Sequence, residues 1–144
     1  MTLLRAAASP EMRADNGEHT FTYAFTAWEG SLMDSPAVRE ASDLNVPLQV
    51  APGHCPAFSA FRVDAENVFI DTVKPAEDGS GDIILRLYEA KRADTVCHVA
   101  LNIPAASVCL CDLLENAGES LDPRHIALRF HPFEVKTLRI TPVQ

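Results

Sequence analysis

Five histidines (His19, His54, His98, His125, His131) and four cysteines (Cys55, Cys97, Cys109, Cys111) are the residues best suited to metal or nucleophilic chemistry. Their spacing argues against it. Cys109 and Cys111 stand two apart, so on a strand both thiols share a face. No CxxC is present, and a zinc site needs further ligands at finger-like spacing. The pair reads as small buried hydrophobes. His98 follows Cys97, and neighbours on a strand face opposite ways. His54-Cys55 sits between prolines and would need distant partners. Isolated histidines of this kind read as surface or hydrogen-bonded residues.

Carboxylates are plentiful near the expected strands: Asp15, Glu18, Glu66, Asp71, Glu77, Asp78, Asp112, Glu115 and Glu134. A retaining glycosidase needs two carboxyl groups about 5–5.5 Å apart, and spacing along a chain does not single out such a pair. The chain has no GxxxxGK[ST], no GxSxG and no HExxH, and Gly79-Ser-Gly81 falls between two strands rather than ahead of a helix. The residues alone describe a β-sandwich without a self-contained active site.

The elements that carry these residues are mostly strands. Glu18 to Thr26 (EHTFTYAFT) alternates with period two, Phe21, Tyr23 and Phe25 on one face, and predicts a half-buried strand. Ser35-Pro36 opens a short helix with Ala37, Val38, Ala41 and Leu44 on one face. Val46 to Val50, punctuated by Pro47, suits an edge strand. Ala57–Arg62, Asn67–Val73, Ile83–Ala90, Val96–Ile103 and Val108–Leu114 follow, and Leu128 and Phe130 mark another strand. Lys74 to Asp82 (KPAEDGSGD) is the strongest turn signal, so Asn67–Val73 and Ile83–Ala90 read as the arms of a hairpin. In Pro132–Ile140 the apolar phase slips between Val135 and Leu138, which predicts a bulge or burial on both faces. Eight or nine short strands and one short helix, without βα alternation, define an all-β antiparallel sandwich in one domain, residues 1–144.

Composition agrees. With 144 residues and 47% hydrophobic content the chain can bury a core without staples, yet is too short for a (β/α) barrel, which needs at least about 200 residues. The even cysteine count permits disulfides, but a chain of this length is a poor candidate for them. Twelve basic against twenty acidic residues leave a formal charge of −8, which disfavours nucleic acid and anionic membranes alike. No apolar stretch reaches the roughly 18 residues of a membrane span. Arg5 stands where a secretory signal needs its apolar core, so a cytoplasmic protein is expected.

Several segments together resemble a known family: TLLRAAASPEMRADNGEHTFTYAF (2–25), LNVPL (44–48), ENVFIDTVKPAEDGSGDIILRLYEA (66–90), CDLLEN (111–116) and PFEVKTLRI (132–140). They are similar to the C-terminal β-domain of glycoside hydrolase family 38, the α-mannosidases, in their bacterial form. The shared signature includes Asp15, Gly17, His19, Tyr23, Glu66, Asn67, Asp71, Lys74, Glu77, Asp78, Arg86, Tyr88 and Glu89. The resemblance implies a parent enzyme that removes terminal α-linked mannose with retention, using an aspartate nucleophile and a zinc ion in an N-terminal barrel followed by a helical bundle. Only the last β-region is matched here, so no catalytic or zinc residue carries over, and the chain alone is expected to be inactive. Its implied partners are the parent's barrel and helical domains and, through them, mannose-containing oligosaccharide.

Two readings stay open for the signature residues. Asp71, Lys74, Glu77 and Asp78 either hold a hairpin turn or line the mouth of the sugar site. His19 and Tyr23 either pack locally or face the barrel. Trp28-Glu29 replaces a Pro-His pair common in the family, and Trp28 either packs or stacks on a pyranose ring. The alternatives for the whole chain are a free-standing carbohydrate-binding module, for which one Trp and two Tyr are a sparse supply of aromatic platforms, and a structural domain whose exposed apolar patch drives self-association.

Overall fold

A computed structural model describes residues 9–13, 16–46 and 48–143. Asp15, Pro47 and the Thr2–Arg5 stretch lie outside them. After a 3-10 turn at Leu32–Asp34 comes helix α1 (Ala37–Asn45). Eight strands follow: β1 (Phe61–Val63), β2 (Val68–Pro75), β3 (Ile83–Glu89), β4 (Thr95–Leu101), β5 (Ala105–Cys111), β6 (Ala117–Leu121), β7 (Ile126–Phe130) and β8 (Val135–Pro142). They form two antiparallel sheets, one of three strands in the order β1-β4-β7 and one of five in the order β2-β3-β8-β5-β6.

Alternation decides what each sheet buries. Leu85 and Leu87 on β3, Val108 on β5, and Leu138 and Ile140 on β8 face inward from the large sheet, against Cys97, Val99, Ile126, Leu128 and Phe130 of the small one. Each is at most 4% exposed. At about 25 cal/mol per Å² of apolar area removed from water, this shared layer is the main force holding the sheets together. Burial also pushes the Cys97 thiol up to about 11, so it packs as an inert hydrophobe. All four cysteines are free.

The hairpin at 67–90 is present, with Pro75 opposite Ile83 and a seven-residue loop between. The helix is present as well. Ser35 stands one residue before its N-cap and accepts a bond from the Ala37 N–H at 3.3 Å. On β8, Thr137 and Leu138 are both buried, so the phase slip reflects burial on both faces. The ladder to β3 runs unbroken, and an irregularity sits on β5 instead, between Ala105 and Ser107.

Three expectations fail. Residues 18–26 belong to no strand, and Phe21, Tyr23 and Phe25 are exposed. Residues 48–50 form no strand, and Leu48 and Val50 are almost fully exposed. The expected strand at 57–62 begins only at Phe61. The cause is the same in each case: an alternating or apolar run becomes a strand only where a neighbour supplies backbone partners and a layer to cover.

Candidate functional site

The outer face of the large sheet carries two separate groups of chemistry-bearing residues. The first is an ion-pair network. Lys74 on β2, Ile84 on β3 and Arg139 on β8 lie in one row across the sheet. Two hairpin loops fold over that row: residues 76–82, and the turn after β5 at 112–116. Lys74 Nζ lies 2.6 Å from Glu77 and 2.5 Å from Glu115. Arg139 donates to Asp82 and Asp78 at 2.6 Å each, to Ser80 at 3.0 Å and to the Glu115 carbonyl at 3.3 Å. The Glu77 N–H donates to Glu115 at 2.9 Å.

Local sequence explains why the loops can do this. Gly79 and Gly81 supply the positive φ the tight loop needs, +71° and +86°. In the opposite turn Asp112 accepts from the N–H groups of Leu114 and Asn116, an Asx-type turn that leaves Glu115 at φ +69° and aims its side chain at Lys74. Bonds to Ser80 and then to the Arg139 guanidinium hold the Asp78 carboxyl far below its usual range. Its bond to Lys74 lowers Glu115, and the reciprocal bond raises Lys74. Ile84, flanked by Lys74 and Arg139, has no exposure at all.

The second group is a cleft of about 440 Å³ at the other end of the same face, lined by Val38 of α1 and by Asp71, Arg86, Tyr88, Glu89, Phe133 and Val135. A β-bulge between Ile70 and Thr72 leaves Asp71 outside the ladder, where it accepts from Thr72 Oγ1 at 2.7 Å. Tyr88 stacks on Phe69 with ring centroids 5.7 Å apart. Glu89 forms the floor. It is fully buried, yet three donors answer its carboxylate: the Phe133 N–H at 2.9 Å, the Lys91 N–H at 2.6 Å and the Asn67 amide at 2.9 Å. Burial pushes this carboxyl up, and the bonds from Phe133, Asn67 and Lys91 outweigh it and hold it below its usual value. Through the Phe133 bond Glu89 also holds that residue at φ +59°, a conformation costing about 1–3 kcal/mol in a residue with a side chain. The result is a shallow site with two carboxylates, the exposed Asp71 and the buried Glu89, one guanidinium, one phenol and an exposed phenyl ring. Such a site orients a ligand by a few polar contacts beside apolar surface.

The structure thus divides the sequence candidates. Lys74, Glu77 and Asp78 stand together in the network, and Asp71 stands apart in the cleft. His19, Tyr23 and Trp28 lie in the exposed segment ahead of α1. Glu115, Asp82 and Arg139 escaped selection because their partners are up to 61 residues away, beyond anything spacing reveals. Among the described residues no three His, Cys, Asp or Glu side chains are grouped to hold a metal ion. The zinc that the resemblance implies has no fitting ligand set among them.

Fold and surface together define an antiparallel β-sandwich with one ion-paired face and one shallow cleft. Residues 67–138 match the model of the glycosyl hydrolases family 38 C-terminal beta sandwich domain, and the chain belongs to that family. Along 96% of its length it is 39% identical to human alpha-mannosidase 2C1 and 36% identical to mouse alpha-mannosidase 2C1. Alpha-mannosidase G of Dictyostelium discoideum is 30% identical over the same share. The chain spans 14% of the length of each of these relatives.

Proposed function

We infer that this sandwich is the non-catalytic C-terminal domain of a larger α-mannosidase, whose hydrolysis of terminal α-linked mannose is carried by parts outside these residues. The observation that carries the reading is the 39% identity to human alpha-mannosidase 2C1 over nearly the whole chain. The domain packs on the catalytic barrel and the helical bundle, and zinc and the retaining nucleophile belong to that barrel. Asp71, with Arg86 and Tyr88, is the part of this surface assigned to the rim of the substrate cleft, because these residues combine polar groups with aromatic surface in one concavity. Lys74, Glu77 and Asp78 serve the rim indirectly, by fixing the 76–82 loop. His19, Tyr23 and Trp28 are assigned to the interdomain side. Four free thiols suit a reducing compartment, which supports a cytoplasmic enzyme, and no helix among the described residues is long and apolar enough to cross a membrane.

The test compares aryl α-mannoside hydrolysis by the 144-residue chain and by the complete polypeptide of the same gene. The complete polypeptide should turn over substrate and lose activity to a chelator, and the isolated chain should be silent with or without zinc. Chelator-sensitive turnover by the isolated chain would overturn the reading.

A further inference from the structure

Residues 21–26 carry the clean period-two alternation of a β-strand, yet no strand of the sandwich pairs with them. Phe21, Tyr23 and Phe25 form a ladder of rings with centroids 6.5 and 5.8 Å apart, and they are 47%, 54% and 79% exposed. The small residues alternate with them. Ala24 and Thr26 share a cleft with Ala37, Ala41 and Leu44 of α1, so the helix backs one face and the aromatic face is left bare. Among the described residues no backbone hydrogen bond ties Phe21–Thr26 to any strand. A lone strand with an apolar ladder is not stable in water, and its open backbone is a template for pairing.

What covers it follows from three observations. This chain's own sandwich is complete without it, since among the described residues every buried hydrophobic side chain falls between Val68 and Ile140. The family-model match begins only at residue 67, while the match to the mannosidases leaves no more than about six residues of the chain unaligned. Residues 18–26 are therefore shared with proteins of which the chain spans 14%, yet they stand outside the sandwich. A second copy of the chain is the poorer occupant, because a net charge of −8 on each copy opposes association.

We propose that residues 18–26 are a strand of a second β-sheet, completed by an antiparallel edge elsewhere in the same mannosidase polypeptide. The Phe21–Tyr23–Phe25 ladder lies on that sheet's apolar layer, and α1 covers its outer side. The proposal rests on the chain being part of a larger α-mannosidase, and it makes this segment the physical joint between the sandwich and the body of the enzyme.

Hydrogen–deuterium exchange tests it on the 144-residue chain at two concentrations and on the complete polypeptide of the same gene, with α-mannoside hydrolysis recorded in parallel. In the short chain the amides of 21–26 should exchange at nearly unstructured-peptide rates at both concentrations. In the complete polypeptide they should slow by about 100-fold or more. Equal, fast exchange in both proteins overturns the proposal, as does protection in the short chain that grows with concentration, which would make a second copy the partner. A complete polypeptide that protects 21–26 without hydrolysing mannosides supports the joint and refutes the mannosidase reading. One that hydrolyses without protecting does the reverse.

Discussion

Residues 61–143 and the described residues ahead of them have comparable apolar content and opposite fates. The strands bury a contiguous layer from Val68 to Ile140. In 9–60 the one buried residue among those described is Ser35, and Phe25, Val46, Leu48, Val50 and Phe58 are each at least 70% exposed. Apolar pattern is the same kind of signal in both regions. What differs is whether a second layer exists to receive it, and among the described residues the N-terminal region has none.

Breaking the finished region should have the largest effect. Phe130→Ala or Leu85→Ala should cost about 3–5 kcal/mol in urea unfolding, because each empties a site with no exposure in the shared layer. A cost below about 1 kcal/mol would mean that the two sheets do not share a rigid core. Glu89→Ala comes next, at about 2–3 kcal/mol, since it strips a charged acceptor from the Phe133 and Lys91 N–H groups and the Asn67 amide. The same variant should release Phe133 from its left-handed conformation, visible as faster exchange of the Phe133 amide.

The ion-pair network should show itself through pH more than through total stability, because much of it meets solvent. Asp78 and Glu115 have folded values below their ordinary 3.8 and 4.5. Their contribution is full above those values and is lost as pH falls through the lowered ones. Lys74 is raised above 10.5, so its contribution is full below that value and is lost as pH rises through the raised one. Between these limits, the Ala76 N–H, bonded to the Asp82 carbonyl at 2.9 Å, should be protected from exchange. Arg139→Met should remove much of that protection and of the acid dependence. The smallest effect belongs to the unfinished region: Phe21→Ser or Phe25→Ser should shift the stability of this chain by less than about 0.5 kcal/mol.

Legibility in the sequence follows the same divide. Strands with inward alternation, such as Ile83–Glu89 and Ile126–Phe130, were readable because their own neighbours cover them. Residues 18–26 showed an equally clean pattern and formed no strand in this chain, because alternation reports what a segment can bury and not where the partner is. Ala117–Leu121 went unseen for the opposite reason: as an edge strand it carries one sizeable apolar side chain, Leu121, and Gly118 fits where an added Cβ would come within 3.0 Å of the Leu110 carbonyl. The candidate surface was legible only in part. Turn chemistry marked Lys74–Asp82, but Arg139 and Glu115, which hold that loop, are joined to it only by the sheet order.

Among the described residues, 61–143 hold every buried hydrophobic side chain, which makes them a sandwich complete without the segment ahead of it. Equilibrium urea unfolding of a chain shortened to residues 57–144, beside the whole chain, tests it most directly; the cut keeps Ser59 and Ala60, whose carbonyls accept from Asn102. One cooperative transition is expected in both, with midpoints that coincide closely. A shortened chain that loses its transition would contradict it, because the segment ahead of the strands would then belong to this fold.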